Sequence, residues 1–322
     1  MAFVKVSAIG SNQPRRAARL TERAGNEAGV STIIVPWRWD SQSQAGVVKS
    51  TRDPDAIPRG RTGFQWKFGQ GRDRNAGRST LATLPQLQRL RISAPNKITA
   101  KGLAQLGDFK ELRHFDFNQS SGSEKDLLPF GDAEVKHLER LTNLKSLRIV
   151  PASLTDAGFA SLAKITSLES LDLYGGNLTP EAIANLRPLA NLRSLSLTGM
   201  AIDDACLGEI GLLPLSELRL AAIDVSDAGL AKLAECESLR KIDLSAGPRS
   251  TLGDSGVAQL AGLKELTHLR VYGDRLTAES LKIVEHLPRL EQLTITSRLI
   301  KIEQKQEIQK KFPRCVIAML FE

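Results

Sequence analysis

Residues able to carry chemistry are scarce in this 322-residue chain, which holds four histidines and three cysteines. His114 and Asp116 stand two apart, the spacing that puts both side chains on one face of a β-strand. Such a pair could polarise a hydroxyl, provided that a nucleophile lies within hydrogen-bond reach. Ser93 is the neighbouring serine in the register developed below, and nothing around it marks it as activated. His268 takes the place equivalent to His114 six repeats later, roughly 30 Å away at about 4.8 Å per strand, too far for a shared site. Cys206, Cys236 and Cys315 fall in no CxxC or His/Cys metal spacing. Their low, odd number speaks against a disulfide scaffold and for a reducing compartment. GQGR at 69–72 is too incomplete to be a phosphate-binding loop. These residues predict a protein that is not an enzyme and uses no cofactor, metal or small-molecule substrate.

What the sequence does contain is a repeat. From Leu87 onward the pattern apolar-x-x-apolar-x-apolar recurs nine times, as in Leu144/Leu147/Ile149, Leu168/Leu171/Leu173 and Leu192/Leu195/Leu197. The starts are separated by 25, 32, 24, 24, 23, 24, 27 and 24 residues, a period of 24 with two insertions, around 120–131 and 245–253. Counting from the first leucine of each repeat, further apolar residues fall at +10, +15, +18 and +21, for example Leu154, Phe159, Leu162 and Ile165. The first half of the repeat has period 2 and predicts a strand; the second has helical spacing. Between them, at +11, stand Thr155, Thr179, Asp203, Ser226 and Thr277, side chains that can cap a helix N-terminus. Asp156, Asp204 and Asp227 follow, placing negative charge at the positive helix end, and Pro180 takes a first helical position. A single repeat of this kind cannot bury its own leucines, whereas stacked repeats share one continuous core.

These residues resemble the leucine-rich-repeat family over about 81–322. The segments LTDAGFASL at 154–162 and VSDAGLAKL at 225–233 look like the 24-residue repeats of bacterial members, and are similar to the repeat regions of F-box-type ubiquitin-ligase receptors. The family often carries Asn or Cys at +8, where this chain has Ala152, Gly176, Met200, Ile223 and Asp274. The resemblance implies an α/β leucine-rich-repeat solenoid, curved, with a parallel inner β-sheet and short outer helices. About nine coils are expected, closed by a C-terminal helix from 301 and a capping strand through Val316 and Ile317.

In such a solenoid the residues at +2, +4 and +6 face outward from the sheet. The +4 column reads Arg91, Asp116, Arg148, Asp172, Ser196, Arg219, Asp243, Arg270 and Thr294, so opposite charges alternate. Neighbouring charges on adjacent strands are expected to pair, and the same row could dock a partner through its arginines. The +6 column contains Tyr174 and Tyr272, the chain's two tyrosines. Tyrosine combines apolar area with a polar handle, which favours binding surfaces. The expected function is non-enzymatic protein–protein interaction on the concave face. Its contact residues would be Tyr174, Tyr272, Arg148, Asp172, Arg219, Asp243 and Arg270, with His114 and His268 beside them.

The charge balance sets the first 80 residues apart. They hold 3 Lys and 11 Arg against 4 Asp and 2 Glu, 14 − 6 = +8, which is the whole formal charge of the chain. Leu20 is their single leucine, against 46 in the rest. One leucine in 80 residues cannot support a core, so 1–80 is expected to be a disordered or poorly structured basic segment preceding the repeat domain at 81–322. A stretch translated from a misassigned start codon would have the same composition. Trp37-Arg38-Trp39 and Phe64-Gln65-Trp66-Lys67-Phe68 interleave aromatic and basic residues. That pattern leaves open nucleic-acid binding or the strands of an N-terminal cap. No F-box-like helical pattern precedes the repeats, so the reading as a ubiquitin-ligase substrate receptor lacks its adaptor-binding half. No apolar run approaches the roughly 18 residues of a membrane span. MAFVKVSAIG is interrupted by Lys5 too early for a signal-peptide core, and a cytoplasmic location is expected.

Overall fold

A computed structural model describes residues 37–40, 45–48, 63–67, 87–93, 104–118, 130–176 and 178–318. Most of the basic segment, the boundary expected near residue 80 and the bulk of the insertion at 120–131 lie outside the described residues. The chain divides into two compact units, Met1–Pro129 with Arg140–Pro151, and Phe130–Glu139 with Ala152–Glu322.

In the first unit the strands Gly63–Lys67, Arg89–Ser93, His114–Asn118 and Ser146–Val150 run parallel in unbroken register. Trp37–Asp40 and Ala45–Val48 form a separate antiparallel pair. The inward residues Leu90, Ile92, Phe115, Phe117, Leu147 and Ile149 are buried, together with Leu106, Phe109, Leu112, Leu141 and Leu144 from the returning segments.

The second unit repeats the plan over seven parallel strands. These are Ser170–Tyr174, Ser194–Thr198, Glu217–Ile223, Lys241–Ala246, His268–Tyr272, Gln292–Thr296 and Val316–Ala318. Their register matches the repeat count: Leu171, Leu195, Leu218, Ile242, Leu269, Leu293 and Ile317 align as one column across the sheet. All seven are buried. Burying a leucine stabilises by about 1.5–3 kcal/mol, and a shift of one residue would turn the whole column outward.

Where most of these strands begin, two successive N–H groups converge on one carbonyl of the previous repeat. Arg193 and Ser194 bond Glu169 O, Arg240 and Lys241 bond Ser216 O, and Thr267 and His268 bond Arg240 O. The strand then turns outward through Gly175, Gly176 and Gly199, all at positive φ, and through Ala222 at φ 62°. The +8 residues Ala152, Met200 and Ile223 are simply part of the core.

The outer layer is made of short helices, Asp132–Leu138, Asp156–Leu162, Pro180–Ala184, Asp204–Gly211, Asp227–Leu233 and Asp254–Gln259, and 3-10 turns at Leu260–Gly262 and Ala278–Glu285. All five +11 residues are N-caps, as their sequence positions predict. Thr155, Thr179, Asp203, Ser226 and Thr277 accept from the N–H of Ala157, Ala182, Cys206, Ala228 and Glu279 respectively. The helix Ile302–Lys311 and the strand Val316–Ala318 close this unit.

Candidate functional site

The outward face of the parallel sheet carries the charged row. In the first unit, Arg91 Nε lies 2.9 Å from Asp116 Oδ2, and Arg148 stands opposite Asp116 in register. In the second unit, Asp172 aligns with Ser196 and Ser196 with Arg219. Asp243 stands between two arginines: its Oδ2 is 3.9 Å from Arg219 Nε and 3.5 Å from Arg270 Nη1. The alternating charges therefore pair across strands. Beside this row, Lys241 Nζ meets Glu217 Oε1 at 2.7 Å, and His268 Nδ1 lies 2.9 Å from Thr267 Oγ1. His114 belongs to the first unit and His268 to the second, and each sits at the first residue of its strand.

Tyr174 and Tyr272 both occupy the last position of their strands. Tyr174 is 49% exposed, and its ring carbons come within 3.6 Å of where a side chain on Gly199 would begin. The glycine thus gives the ring a backbone surface to lie on. Tyr272 is half-buried, opposite Ser245 and Thr296. Four strand steps separate the two rings, about 19 Å at 4.8 Å per step; they share a face without sharing a contact.

The rim where strands pass into helices holds a network whose role the helix-dipole reading of its aspartates did not include. The first-turn aspartate of one repeat reaches the cap of the next. Asp132 accepts from Thr155 N and Oγ1 at 2.9 and 2.6 Å, Asp204 from Ser226 N and Oγ at 2.8 and 2.5 Å, and Asp254 from Thr277 N and Oγ1 at 2.8 and 2.6 Å. Asp227 accepts from Gly253 N at 2.7 Å, and Asp156 from Thr179 Oγ1 at 2.6 Å.

The glycine of each DAG or DSG triplet makes room for this carboxylate. A Cβ on Gly158 or Gly229 would lie 2.2 Å from the carboxylate of Asp132 or Asp204, and one on Gly256 would lie 2.5 Å from that of Asp227. Where the preceding repeat has Pro180 in place of aspartate, the corresponding residue is Cys206. The sequence signal was present for Asp132, Asp204 and Asp227, each followed by a glycine in the next repeat, and absent for Asp156 and Asp254, which are followed by Ala182 and Ser280.

Charge follows the geometry. The Cys206 N–H is the chief cause that holds the Asp203 carboxyl below the usual aspartate value. At Asp254 burial is the strongest single influence and opposes ionisation, but hydrogen bonds from Ser280 and Thr277 outweigh it and hold the carboxyl low. Burial pushes the Cys206 thiol up to about 11, so it is an inert core residue rather than a nucleophile. Cys206, Cys236 and Cys315 are all buried and free.

The hollow lined by Asp203, Asp204, Asp224, Ser226, Arg249 and Thr251 is internally satisfied. Asp224 holds Arg249 at 2.7 Å, and Asp203 and Asp204 make the cap bonds above. Among the described residues no group of three or more His, Cys, Asp or Glu could hold a metal ion, and no helix is long and apolar enough to cross a membrane.

No family model and no curated protein matches the sequence. Among solved structures, the internalin inlF from Listeria monocytogenes is similar over 76% of this chain and 65% of its own, at 16% identity and a TM-score of 0.51. TLR13, solved in complex with ssRNA13, is similar over 75% of this chain and 36% of its own, at 21% identity and a TM-score of 0.50. Parallel strands in repeat register, short outer helices and these neighbours decide the architecture. This is a leucine-rich-repeat fold. The chain spans about two thirds of the length of the internalin and about a third of that of TLR13. Within the leucine-rich-repeat solenoid, the charged row and both tyrosines lie on the sheet, and the aspartate network lies on its rim.

Proposed function

We propose that this protein is a non-enzymatic interaction module that holds a partner protein on the exposed face of its parallel sheet. The observation that carries this reading is the make-up of that face in the second unit. Salt-bridged charges, hydroxyls and the half-exposed Tyr174 are spread over neighbouring strands whose backbone is fixed by a continuous ladder. A backbone fixed in this way loses little entropy on binding, and tyrosine and arginine are enriched where binding energy concentrates. Asp172, Tyr174, Arg219, Asp243, His268, Arg270 and Tyr272 would form the contact surface of the second unit, and His114 and Arg148 that of the first. A cytoplasmic location accords with three buried, free thiols.

A pull-down with the wild-type chain and a Tyr174→Ala, Arg219→Ala, Tyr272→Ala variant tests the face. Captured proteins should be lost from the variant; an unchanged set sinks the assignment. The second reading is nucleic-acid binding through residues 1–80, favoured by their net charge of +8. Affinity for a single-stranded oligonucleotide would then fall steeply with salt. If deleting 1–80 leaves both affinity and salt slope unchanged, that reading fails.

A further inference from the structure

The arginines of the sheet face and its rim are not equally occupied. Arg249 engages Asp224 through Nε and Nη2 at 2.9 and 2.7 Å, and Arg91 meets Asp116 at 2.9 Å. Arg219 and Arg270 instead share a single oxygen of one carboxylate, Asp243 Oδ2, at 3.9 and 3.5 Å. Both distances exceed the roughly 2.7–2.9 Å of a charge-assisted hydrogen bond. Their side chains are 67% and 45% exposed. Two guanidiniums against one carboxylate leave a local charge of 2 − 1 = +1, and the row offers no further acid here, since its next members are Ser196 and Thr294. The adjoining Lys241 is already engaged by Glu217.

We infer that this spot receives an acidic segment of the partner, two of whose carboxylates, about 10 Å or less apart, take the planar donor edges of Arg219 and Arg270. The inference rests on the sheet-face reading above and names the chemistry of its partner. Guanidinium presents a rigid fork of N–H donors matched to carboxylate. Tyr272, two residues beyond Arg270 on the same strand, supplies an adjoining aromatic surface for the segment's stem. Asp243 acts as the internal competitor: it orients both arginines in the free protein and gives them up when a stronger pair arrives.

The experiment uses the full chain and a fluorescent twelve-residue Glu/Gly peptide carrying a photo-crosslinker, with a Lys/Gly peptide and a phosphoserine/Gly peptide as comparisons. The Glu/Gly peptide should bind in low salt, and cross-links should map to the strands containing Arg219, Asp243 and Arg270. Arg219→Gln with Arg270→Gln should lower affinity at least tenfold with the thermal melt unchanged. Asp243→Asn should raise affinity, because it removes the competitor, an outcome that a merely structural role would not produce. Absence of Glu/Gly binding, cross-links confined to residues 1–80, binding of the phosphoserine peptide alone, or weaker binding by Asp243→Asn would each overturn the inference. Should the arginine pair prove silent while Tyr174→Ala with Tyr272→Ala abolishes protein capture, the acidic segment is wrong and the sheet face stands. Should neither double variant alter capture, the sheet face itself falls.

Discussion

A carboxylate that reaches from its own helix to hold the cap residue of the next sets the identity of residues more than twenty positions away. Asp204 fills the space that a side chain on Gly229 would need, so Gly229→Ala gains helix propensity but expels the carboxylate from Ser226. Hydrogen bonds to charged groups contribute about 1.5–3 kcal/mol and alanine recovers up to about 1 kcal/mol. A net loss of about 1–2 kcal/mol is expected by urea denaturation. Gly262→Ala is the contrast: nothing lies within 4 Å of its Cβ position, and stability should stay within about 0.5 kcal/mol of wild type. Two carboxylates of this rim make the fold acid-sensitive. Asp203 and Asp254 have folded pKa values below their ordinary ones. Their stabilisation is therefore complete above the unfolded value, about 3.9, and is lost as pH falls through the lower folded value. Urea midpoints should drop below about pH 4 in the wild type, and less steeply in Asp254→Asn, which begins lower and has one titrating group fewer.

At the level of strands and helices, the sequence was most legible where a contact repeats with the period. Strand register, the buried column from Leu171 to Ile317, the five N-caps and the cross-strand pairing of the charged row all follow from residue type at fixed offsets. Contacts linking one repeat to the next at other offsets were harder to see. Asp254 meets Thr277 and Ser280, 23 and 26 residues on, and reading one helix at a time assigns it only to its own dipole. The insertion near 247 is likewise held from outside itself, by Ile223 O and by Asp224 on Arg249. Tyr174 follows from its residue type and its outward +6 position, but its seat on Gly199 needed coordinates. Closure of the final helix depends on Gln309, whose amide nitrogen donates to Phe312 O and Cys315 O while its oxygen accepts from Ile317 N. Gln309→Ala should cost about 1–3 kcal/mol. Hydrogen exchange should rise first at Val316–Ala318, leaving Ser194–Thr198 protected.

For the molecule as a whole, the aspartate ladder has a direction and a gap. Among the described residues it starts at Asp132, is interrupted at Pro180, resumes at Asp204 and ends at Asp254, since Ala278 occupies the next such position. Three junctions are a plug and a socket, the carboxylates of Asp132, Asp204 and Asp227 against Gly158, Gly229 and Gly256, and the order of plugs limits how such a chain can lengthen or shorten by duplication and loss of whole repeats. Excising 203–225 would bring Pro180 against Ser226 and Gly229, leaving an unfilled socket but no collision; that shortened protein should fold, with a lower melting temperature. Excising 179–202 would press Asp156 against Asp203 and Cys206, replacing a hydroxyl donor by a like charge and Ala182 by a bulkier side chain. That chain should be insoluble or molten by circular dichroism. Equal solubility and cooperativity of the two deletions would refute the rule. Repeats of equal length are therefore not interchangeable units: the repeat that follows the proline can be lost at less cost than the proline repeat itself.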